Sequence, residues 1–264
     1  MRNMMGSDRI ETFEAIFSGN AFEPHRHDTY AIGRTLAGVH CFNYRGEKRI
    51  SLPGNTLVIH PDELHDGEAG TEANFHYRIM YIEPYLLQNV LGGRPLPYIE
   101  GGVSSDPRLH QVTEFLMNEL SNTYEQLEEE DIIFELATTL SKIAGNKRGR
   151  VSYDYRAAEK AREHIHYSLD SQITMEELAI VSGREKWSLS RDFRALYGTS
   201  PYRYLTMRRL STAKSLMSQG HSLAHSSVSA GFNDQSHMSN HFKKAFGLTP
   251  NQWLTKFKAY QHNT

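Results

Sequence analysis

Three histidines in the first quarter of the chain have the types and spacing of a ligand-binding site. His25 and His27 form a His-x-His pair, and His65 follows after a polar stretch. Neutral imidazole binds transition metals, typically beside a carboxylate. Tyr30 and Arg34 stand a few residues after the pair, where a carboxylate would complete the set, and a cationic Arg disfavours a metal. The pattern therefore favours a small-molecule pocket over a metal site.

Tyr30, Arg34 and His76, with Arg78 nearby, are predicted to line the same pocket. Arginine in such a pocket suits an effector that carries a carboxylate or a phosphate. Two alternatives remain open for the histidines: they hold a metal through His25, His27 and His65, or they are structural and hydrogen-bonded at the rim of the fold. The alternate residues of these segments could instead face solvent.

A second group of candidate residues belongs to an internal repeat in the C-terminal half. The strings FRALYGTSPYRY, from Phe193, and FKKAFGLTPNQW, from Phe242, share Phe, Gly, Pro and an aromatic residue in the same register. A duplication of this kind indicates two copies of one supersecondary unit.

The first copy is predicted to be two short helices around a glycine. Thr174 and Glu177 match the S/T-x-x-E capping box, so a helix is expected from Met175 to about Val181. Gly183 permits the sharp turn, and apolar residues at helical spacing follow it. This is the sequence pattern of a helix-turn-helix.

The second copy repeats the pattern around Gly231, with a helix expected from about Gln235 to Ala245. Pro201 suits the first turn of a helix between the copies. The apolar stripe of that linker helix, predicted to pack both units, is Leu205, Leu210, Ala213, Leu216 and Met217.

Polar and basic side chains lie off the apolar stripe of each second helix. Such residues near a helix N-terminus can enter the major groove, where Arg pairs with guanine and Gln or Asn with adenine. The predicted DNA-binding residues are Trp187, Ser190, Arg191, Arg194, Gln235, Ser236, Ser239, Asn240 and Lys243, with Lys244 beyond them.

The segment from about Ser171 to Trp253 resembles the DNA-binding domain of the AraC/XylS family of bacterial transcription regulators. The matching strings are GREKWSLSRDFRALYGTSPYRYL and AGFNDQSHMSNHFKKAFGLTPNQW. The resemblance implies that two recognition helices enter successive turns of the major groove. The chain departs from the family at Asn240, where a basic residue is usual, and at Ser227 to Ala230, where the family usually has Ile-Ala.

The N-terminal half contains short aromatic and β-branched runs separated by Gly and Pro. They are YAIGRTLAG, HCFNYRG, RISLPG, NTLVIHP and FHYRIMYI. This spacing predicts a small antiparallel barrel or jelly roll over about residues 10–85. With the histidine pattern it resembles the cupin superfamily, which AraC-type regulators commonly carry as an effector-sensing module. The predicted fold is thus two-domain α+β, a cupin-like barrel with two amphipathic helices followed by an all-α domain with two helix-turn-helix units.

Two amphipathic helices are predicted in residues 106–145, after Asp106-Pro107. Their apolar residues are Leu109, Val112, Phe115, Leu116, Leu120, Ile132, Ile133, Leu136, Leu140 and Ile143. The acidic run Glu128 to Asp131 is expected to separate the helices and to cap the second. The helices either pack on the barrel or form a homodimer interface. Residues 146–155 have a linker's composition and divide a domain at 1–145 from one at 156–264.

Composition and charge restrict the class of protein. Residues 1–150 hold 14 Lys and Arg against 22 Asp and Glu, whereas residues 151–264 hold 15 against 9. A basic half joined to an acidic half indicates that one part meets a polyanion. A single Cys41, expected to be a small buried residue, and an N-terminus without an apolar signal region predict a cytoplasmic protein.

The sequence therefore predicts a non-enzymatic, effector-controlled transcription regulator that binds double-stranded DNA and needs no cofactor. RNA polymerase is a further predicted partner. The alternative is a metal-dependent cupin enzyme fused to a DNA-binding domain. RNA binding is disfavoured, since neither aromatic stacking platforms nor a strongly basic whole is present.

Overall fold

The computed structural model describes residues 2–4, 10–118, 125–145 and 152–261. The chain divides into two compact units, the first made mostly of residues up to Tyr153 and the second mostly of residues from Asp154 onward. Most of the predicted linker, residues 146–151, lies outside the described residues.

The first unit is built from two sheets of antiparallel pairs. Its strands are β1 Arg2–Met4, β2 Ile10–Phe17, β3 Asn20–His25, β4 Tyr30–Ala37, β5 His40–Tyr44, β6 Glu47–Ser51, β7 Thr56–Ile59, β8 His65–Ala69, β9 Phe75–Ile82 and β10 Val103–Ser104. A six-stranded sheet has the order β1-β2-β9-β4-β7-β10, and a four-stranded sheet has the order β3-β8-β5-β6. The predicted jelly-roll architecture is confirmed.

The six-stranded sheet has apolar residues on both of its faces. Since side chains alternate along a strand, neighbouring residues of one strand belong to different cores. Ala31 of β4 belongs to an aromatic core that also contains Phe42 of β5, so this core lies between the two sheets. Its neighbours Tyr30 and Ile32 belong to a different core, which the same sheet shares with helices. The directions of the β9 side chains, and of the β4 side chains up to Thr35, follow from this division.

Three helices cover the outer face of the six-stranded sheet. They are α1 Pro84–Leu91, α2 Pro107–Asn118 and α3 Gln126–Ala144. Most of the predicted stripes pack onto the sheet: Leu109, Leu116, Ile132, Ile133, Leu136 and Leu140 are buried. Leu120 lies outside the described residues.

The acidic run does not separate the two helices, and this prediction was wrong. Glu128 and Glu129 lie in the first turn of α3, which already begins at Gln126. Acidic side chains are stabilised at this end of a helix by the backbone dipole. The acidic run therefore stabilises the beginning of α3 as part of the helix itself.

The second unit is helical throughout its described elements. They are α4 Tyr155–Tyr167, α5 Met175–Ser182, α6 Lys186–Tyr197, α7 Pro201–Ser218, α8 Leu223–Ser229, α9 Gln235–Phe246 and α10 Pro250–Gln261. Helices α5–α6 and α8–α9 are the two predicted helix-turn-helix units, and α7 is the predicted linker helix. The sequence analysis missed α4, which packs against α5 and α7.

Only half of the predicted capping box forms in the first unit of the repeat. The Thr174 hydroxyl accepts a hydrogen bond from the Glu177 amide at 3.1 Å. The Glu177 carboxylate instead accepts one from His164 of α4 at 2.7 Å. Glu177 therefore links α5 to α4 and does not complete the capping box.

The linker helix shares a core with the second unit of the repeat. Met207, Leu210 and Ala213 of α7 pack with Met238 and Phe242 of α9. The turn before α9 requires glycine at position 231, which has φ +84° and lies where a Cβ would come within 2.3 Å of the Leu169 carbonyl oxygen.

Candidate DNA interface and effector site

Helix α6 presents its predicted DNA-binding residues on the face opposite its core. Leu189 and Phe193 are fully buried. Trp187 is 74% exposed, and Arg191 and Arg194 are exposed as well. The helical period places these two sets on opposite sides.

Both arginines of α6 are held by neighbouring groups. The Arg191 guanidinium lies 3.2 Å from a carboxylate oxygen of Asp192, which is fully buried. The other Asp192 oxygen lies 2.9 Å from the guanidinium of Arg184. Arg194 donates to the Ser190 carbonyl oxygen at 3.2 Å and also contacts the Ser190 hydroxyl. The α6 cations are therefore oriented within the folded chain.

Sequence reasoning missed Asp192 and Arg184. Asp192 stands between the core residue Phe193 and the exposed Arg191, so an acid inside a basic helix was the available signal. A buried carboxylate requires charged or hydrogen-bonding partners, and the two arginines supply them.

Helix α9 has the same two faces but a different exposed chemistry. Met238 and Phe242 are fully buried. Its predicted contact residues are exposed or, for Ser239, half-buried: Gln235, Ser236, Ser239, Asn240 and Lys243. The helix begins with the Asp234 carboxylate, which accepts a hydrogen bond from the His237 amide at 2.7 Å.

The three histidines of the predicted effector site lie together. His25 ends β3 and His65 begins β8, which are neighbours in the four-stranded sheet. One ring nitrogen from each of His25, His27 and His65 lies within 4.8 Å of the others. His65 must donate from Nδ1 to the Glu63 carbonyl at 2.9 Å, because a carbonyl only accepts. A neutral His65 therefore presents the lone pair of Nε2. The three imidazole nitrogens are ligand atoms of a type that suits zinc or a similar metal.

Tyr30, Arg34 and His76 do not join these histidines, which corrects the prediction of one common pocket. The Tyr30 hydroxyl donates to the Pro97 carbonyl at 2.8 Å on the helix-covered face of the sheet. Arg34 donates to Nε2 of His110 in α2 at 2.7 Å. The physical reason is strand alternation, which directs these even-numbered residues of β4 and β9 away from the barrel interior.

His76 and Arg78 share one carboxylate on that outer face. His76 lies 2.7 Å and Arg78 2.7 Å from oxygens of Glu14. Burial raises the pKa of Glu14, but the hydrogen bonds from Arg78 and His76 outweigh it, so its pKa lies below the ordinary value. These groups form a satisfied ion network under α2.

The barrel interior contains polar groups that the sequence analysis did not identify. The ring of His40 stacks on Phe75 with centroids 4.6 Å apart, and Tyr77 lies next to it at 5.7 Å. Among the described residues, neither Nε2 of His40 nor the hydroxyl of Tyr77 has a hydrogen-bond partner. The alternation in HCFNY and FHYRIM could have placed both residues on one face.

The interior groups are neutral at physiological pH. Burial lowers the pKa of His40 to about 4, against a small opposing effect of Asp66. Burial also raises the pKa of Tyr77 well above its usual value. The interior is therefore aromatic, with His40 and Tyr77 uncharged, and among the described residues its unpaired polar atoms include those of His40, Tyr77 and Tyr44.

Comparison with known proteins identifies both units. Residues 9–137 match the family model of the AraC-like ligand binding domain, and residues 178–256 match that of a helix-turn-helix domain. The chain thus has the two domains of an AraC-type transcription regulator, which confirms the predicted resemblance to the AraC/XylS family. Within the described residues, this AraC-type regulator contains no helix long and apolar enough to cross a bilayer.

Two relatives of this AraC-type regulator are named as transcriptional regulators. The uncharacterized HTH-type transcriptional regulator YbfI of Bacillus subtilis is 26% identical, over 82% of this chain and 81% of its own length. The probable transcriptional regulator LumQ of Photobacterium leiognathi is 25% identical, over 79% and 85%.

The crystal structure of ToxT from Vibrio cholerae has the same fold. It superposes with a TM-score of 0.66 at 13% identity, covering 93% of this chain and 97% of ToxT. This AraC-type regulator is a sequence-specific DNA-binding transcription factor whose N-terminal domain binds a small-molecule effector, which confirms the predicted function.

Proposed function

We propose that α6 and α9 read two successive major-groove segments of one DNA duplex. The observation that carries this proposal is the pair of exposed polar faces, each opposite a fully buried Phe at the same repeat position, Phe193 or Phe242. Arg191 and Arg194 would contact guanine or phosphate, whereas Gln235 and Asn240 would contact adenine. Trp187, Ser190, Ser236, Ser239 and Lys243 would support these contacts at the DNA backbone.

Fluorescence anisotropy with DNA from upstream of the protein's own and neighbouring genes tests this proposal. Titration with competitor DNA at several salt concentrations separates specific from general binding. We expect one fragment to resist the competitor, with affinity that falls as salt rises. Binding that random DNA removes equally, with and without candidate effectors, would contradict it.

The effector is proposed to bind in the barrel interior, next to His40 and Tyr77. An unpaired buried polar atom costs about 1–3 kcal/mol, so a ligand that pairs both atoms would recover that free energy. The three histidines lie at one end of the same face, because His65 is paired directly with the interior residue Tyr44. The neutral environment favours a small uncharged aromatic molecule there.

Effector binding would then favour one of two states of the protein that differ in DNA affinity. A ligand shifts such an equilibrium only through its different affinity for the two states. One structure of ToxT contains a naphthalenyl butenoic acid and another an unsaturated fatty acid. By analogy, a small effector is expected here, although the interior groups of this chain differ from an acid-binding set.

Thermal-shift screening of small aromatic compounds tests the effector site. Tyr77→Phe should weaken the response to a hit, because it removes one unpaired hydroxyl. Tyr30→Phe is the matched control, since it removes a buried hydroxyl on the opposite face of the same sheet. Equal loss in both variants would count against an interior site.

His25→Ala, His27→Ala and His65→Ala should alter the effector response and leave DNA affinity without effector unchanged. Loss of folding in all three variants would remove the pocket interpretation.

Elemental analysis of the purified protein addresses the enzyme alternative, which the three converging imidazoles support. Stoichiometric metal that is lost in His65→Ala would favour it. We propose instead that the regulator performs no covalent chemistry.

A homodimer through α2 and α3 is part of the proposal, and so is a contact with RNA polymerase. Phe134 of α3 supports self-association because it is 54% exposed on the outer side of the helix. Sedimentation of the wild type and of Phe134→Ser at micromolar concentration tests the dimer. Since its target is DNA, the protein would act in the cytoplasm.

A further inference from the structure

Helices α2 and α3 form a groove on the surface of the first unit with a volume of about 780 Å³. Its floor is apolar and comes from both helices: Val112, Phe115 and Leu116 of α2 with Leu127 and Ile132 of α3. Phe115 is 57% and Leu127 is 70% exposed, so large apolar side chains face solvent. Contiguous exposed apolar surface of this kind marks an interaction site.

The rim of the groove is acidic. Glu125, Glu128, Asp131 and Glu135 line it, and the described lining residues include no Lys or Arg. Within the described ranges, the carboxylates of Glu128, Asp131 and Glu135 form no ion pair or hydrogen bond. The apolar floor is therefore bordered by uncompensated negative charge.

This charge pattern opposes the stability of α3 itself. Glu128 and Asp131 are three residues apart, and Asp131 and Glu135 are four apart, so they are neighbours on the helix surface. Like charges at these spacings destabilise a helix. A cationic partner would convert this repulsion into attraction.

We propose that the groove binds a basic amphipathic helix of a partner protein. A third helix packs into the groove between two neighbouring helices, with apolar residues one turn apart entering the floor. Lys and Arg beside that stripe would face the three rim carboxylates. This surface is separate from the residues assigned to DNA and effector binding, so the inference does not depend on either.

The groove does not fit the same groove of a second copy, so the homodimer proposed above would use the Phe134 side of α3 instead. In a two-fold symmetric dimer the same patch pairs with itself, so the acidic rim would face an acidic rim. The basic residues of α2 and α3 are Arg108, which is paired with Asp106, and Lys142, which lies in the last turn. Like charges opposed across an interface disfavour association.

The test uses the full-length protein and a labelled synthetic helix of about 15 residues, near the length at which an isolated helix is marginally stable. The probe has a Leu stripe flanked by Lys. A second probe has the same stripe flanked by Glu. Anisotropy should rise with the Lys probe and stay flat with the Glu probe, and added salt should weaken the signal.

Two charge reversals on α3 provide a matched pair. Glu135→Lys changes the rim, whereas Glu130→Lys changes an exposed acid that binds Gln126 and lies outside the groove. We expect Glu135→Lys to weaken Lys-probe binding about tenfold and Glu130→Lys about twofold or less. Phe115→Ser should also weaken binding, and circular dichroism should show that each variant is folded.

Three outcomes would overturn the proposal. Equal effects of Glu130→Lys and Glu135→Lys would mean general attraction to an acidic domain. Binding of both probes alike would mean non-specific apolar adhesion. No binding of the Lys probe, with self-association that Phe115→Ser abolishes, would assign the groove to a second copy.

Discussion

The two helix-turn-helix units have the same architecture and different surface chemistry. Phe193 and Phe242 occupy the same repeat position and are both fully buried. The exposed face of α6 is cationic, and its Arg191 is held by the buried Asp192. The exposed face of α9 begins with the neutral residues Gln235 and Ser236. The two copies thus share the same buried core while their exposed faces differ.

This difference suggests that α6 and α9 contribute differently to DNA binding. Arg191 and Arg194 are oriented before binding, so less side-chain entropy is lost when they contact the duplex. The amides of α9 carry no charge and can contribute through hydrogen-bond geometry. We expect the first helix-turn-helix, α5–α6, to dominate the salt dependence of binding. The second, α8–α9, is expected to add discrimination between bases.

The largest expected effect tests whether the two cores are equivalent. Phe193→Ala and Phe242→Ala should each lower the free energy of unfolding of their own unit by about 3–5 kcal/mol, because each leaves a cavity. Hydrogen–deuterium exchange of the α6 and α9 amides resolves the two units within the full-length protein. A loss confined to one variant would show that the repeat positions are not equivalent.

The second prediction concerns DNA affinity. Arg191→Ala should weaken specific binding by about 1–3 kcal/mol and relax specificity at one half-site if it contacts a base edge. Asn240→Ala should have a smaller effect and leave the salt dependence unchanged. Anisotropy at several salt concentrations measures both variants.

Arg156→Ala removes an exposed cation of α4 and serves as the charge control. If Arg191→Ala lowers affinity equally on all sequences, the arginine contacts phosphate only. An effect of Arg156→Ala as large as that of Arg191→Ala would contradict the assigned interface.

A smaller effect is expected at the two helix N-termini. The Glu185 carboxylate accepts hydrogen bonds from the amides of Trp187 and Ser188, and Asp234 caps α9 in the same way. Asp234→Ala should cost about 1 kcal/mol of stability, and Glu185→Ala should lower the stability of α6 in the same direction. Thermal unfolding followed by local exchange measures both, and an unchanged α6 in Glu185→Ala would mean that its cap is dispensable.

The smallest predicted effect is the pH dependence that His241 gives to the second unit of the repeat. Burial lowers the pKa of His241 in α9, and the positive groups His237, Lys244 and Arg203 lower it further. The unfolded chain then binds more protons than the folded one, so stability falls as pH decreases from about 6.5 toward the folded pKa.

Replacement of the titrating group tests this sign. His241→Phe should flatten the pH dependence of α9 protection. Helix α6 contains no histidine, so its protection is the internal reference. A steeper dependence in α6 than in α9 would contradict the prediction.

The sequence predicted the helical half closely because helix faces are local. Leu189 and Phe193 mark the inner face of α6, and Arg191 must then point outward, whatever the rest of the fold does. The glycine turns and the start of α2 at Pro107 are equally local signals. Helix α4 was missed because its buried face consists largely of the small residues Ala157, Ala158 and Ala161, in a segment of low mean hydropathy.

The effector site depended on long-range pairing and was predicted only in part. Arg34 and His40 are six residues apart, yet Arg34 faces the helices and His40 faces the barrel interior. A bulge in the pairing of β4 with β9 lies between Thr35 and Ala37, where simple alternation from the first strand no longer holds. The sequence offers no signal for that shift of register.

By itself, the sequence determined that this protein has an acidic barrel half and a basic, duplicated DNA-binding half, since composition and helical period are properties of short segments. Tertiary structure alone decided which strand face became the interior, which acid holds Arg191, and that α2 and α3 leave an acid-rimmed groove. The interior face and the groove depend on packing between separate elements, and Asp192 is available to Arg191 in a buried position, so no local period encodes these outcomes.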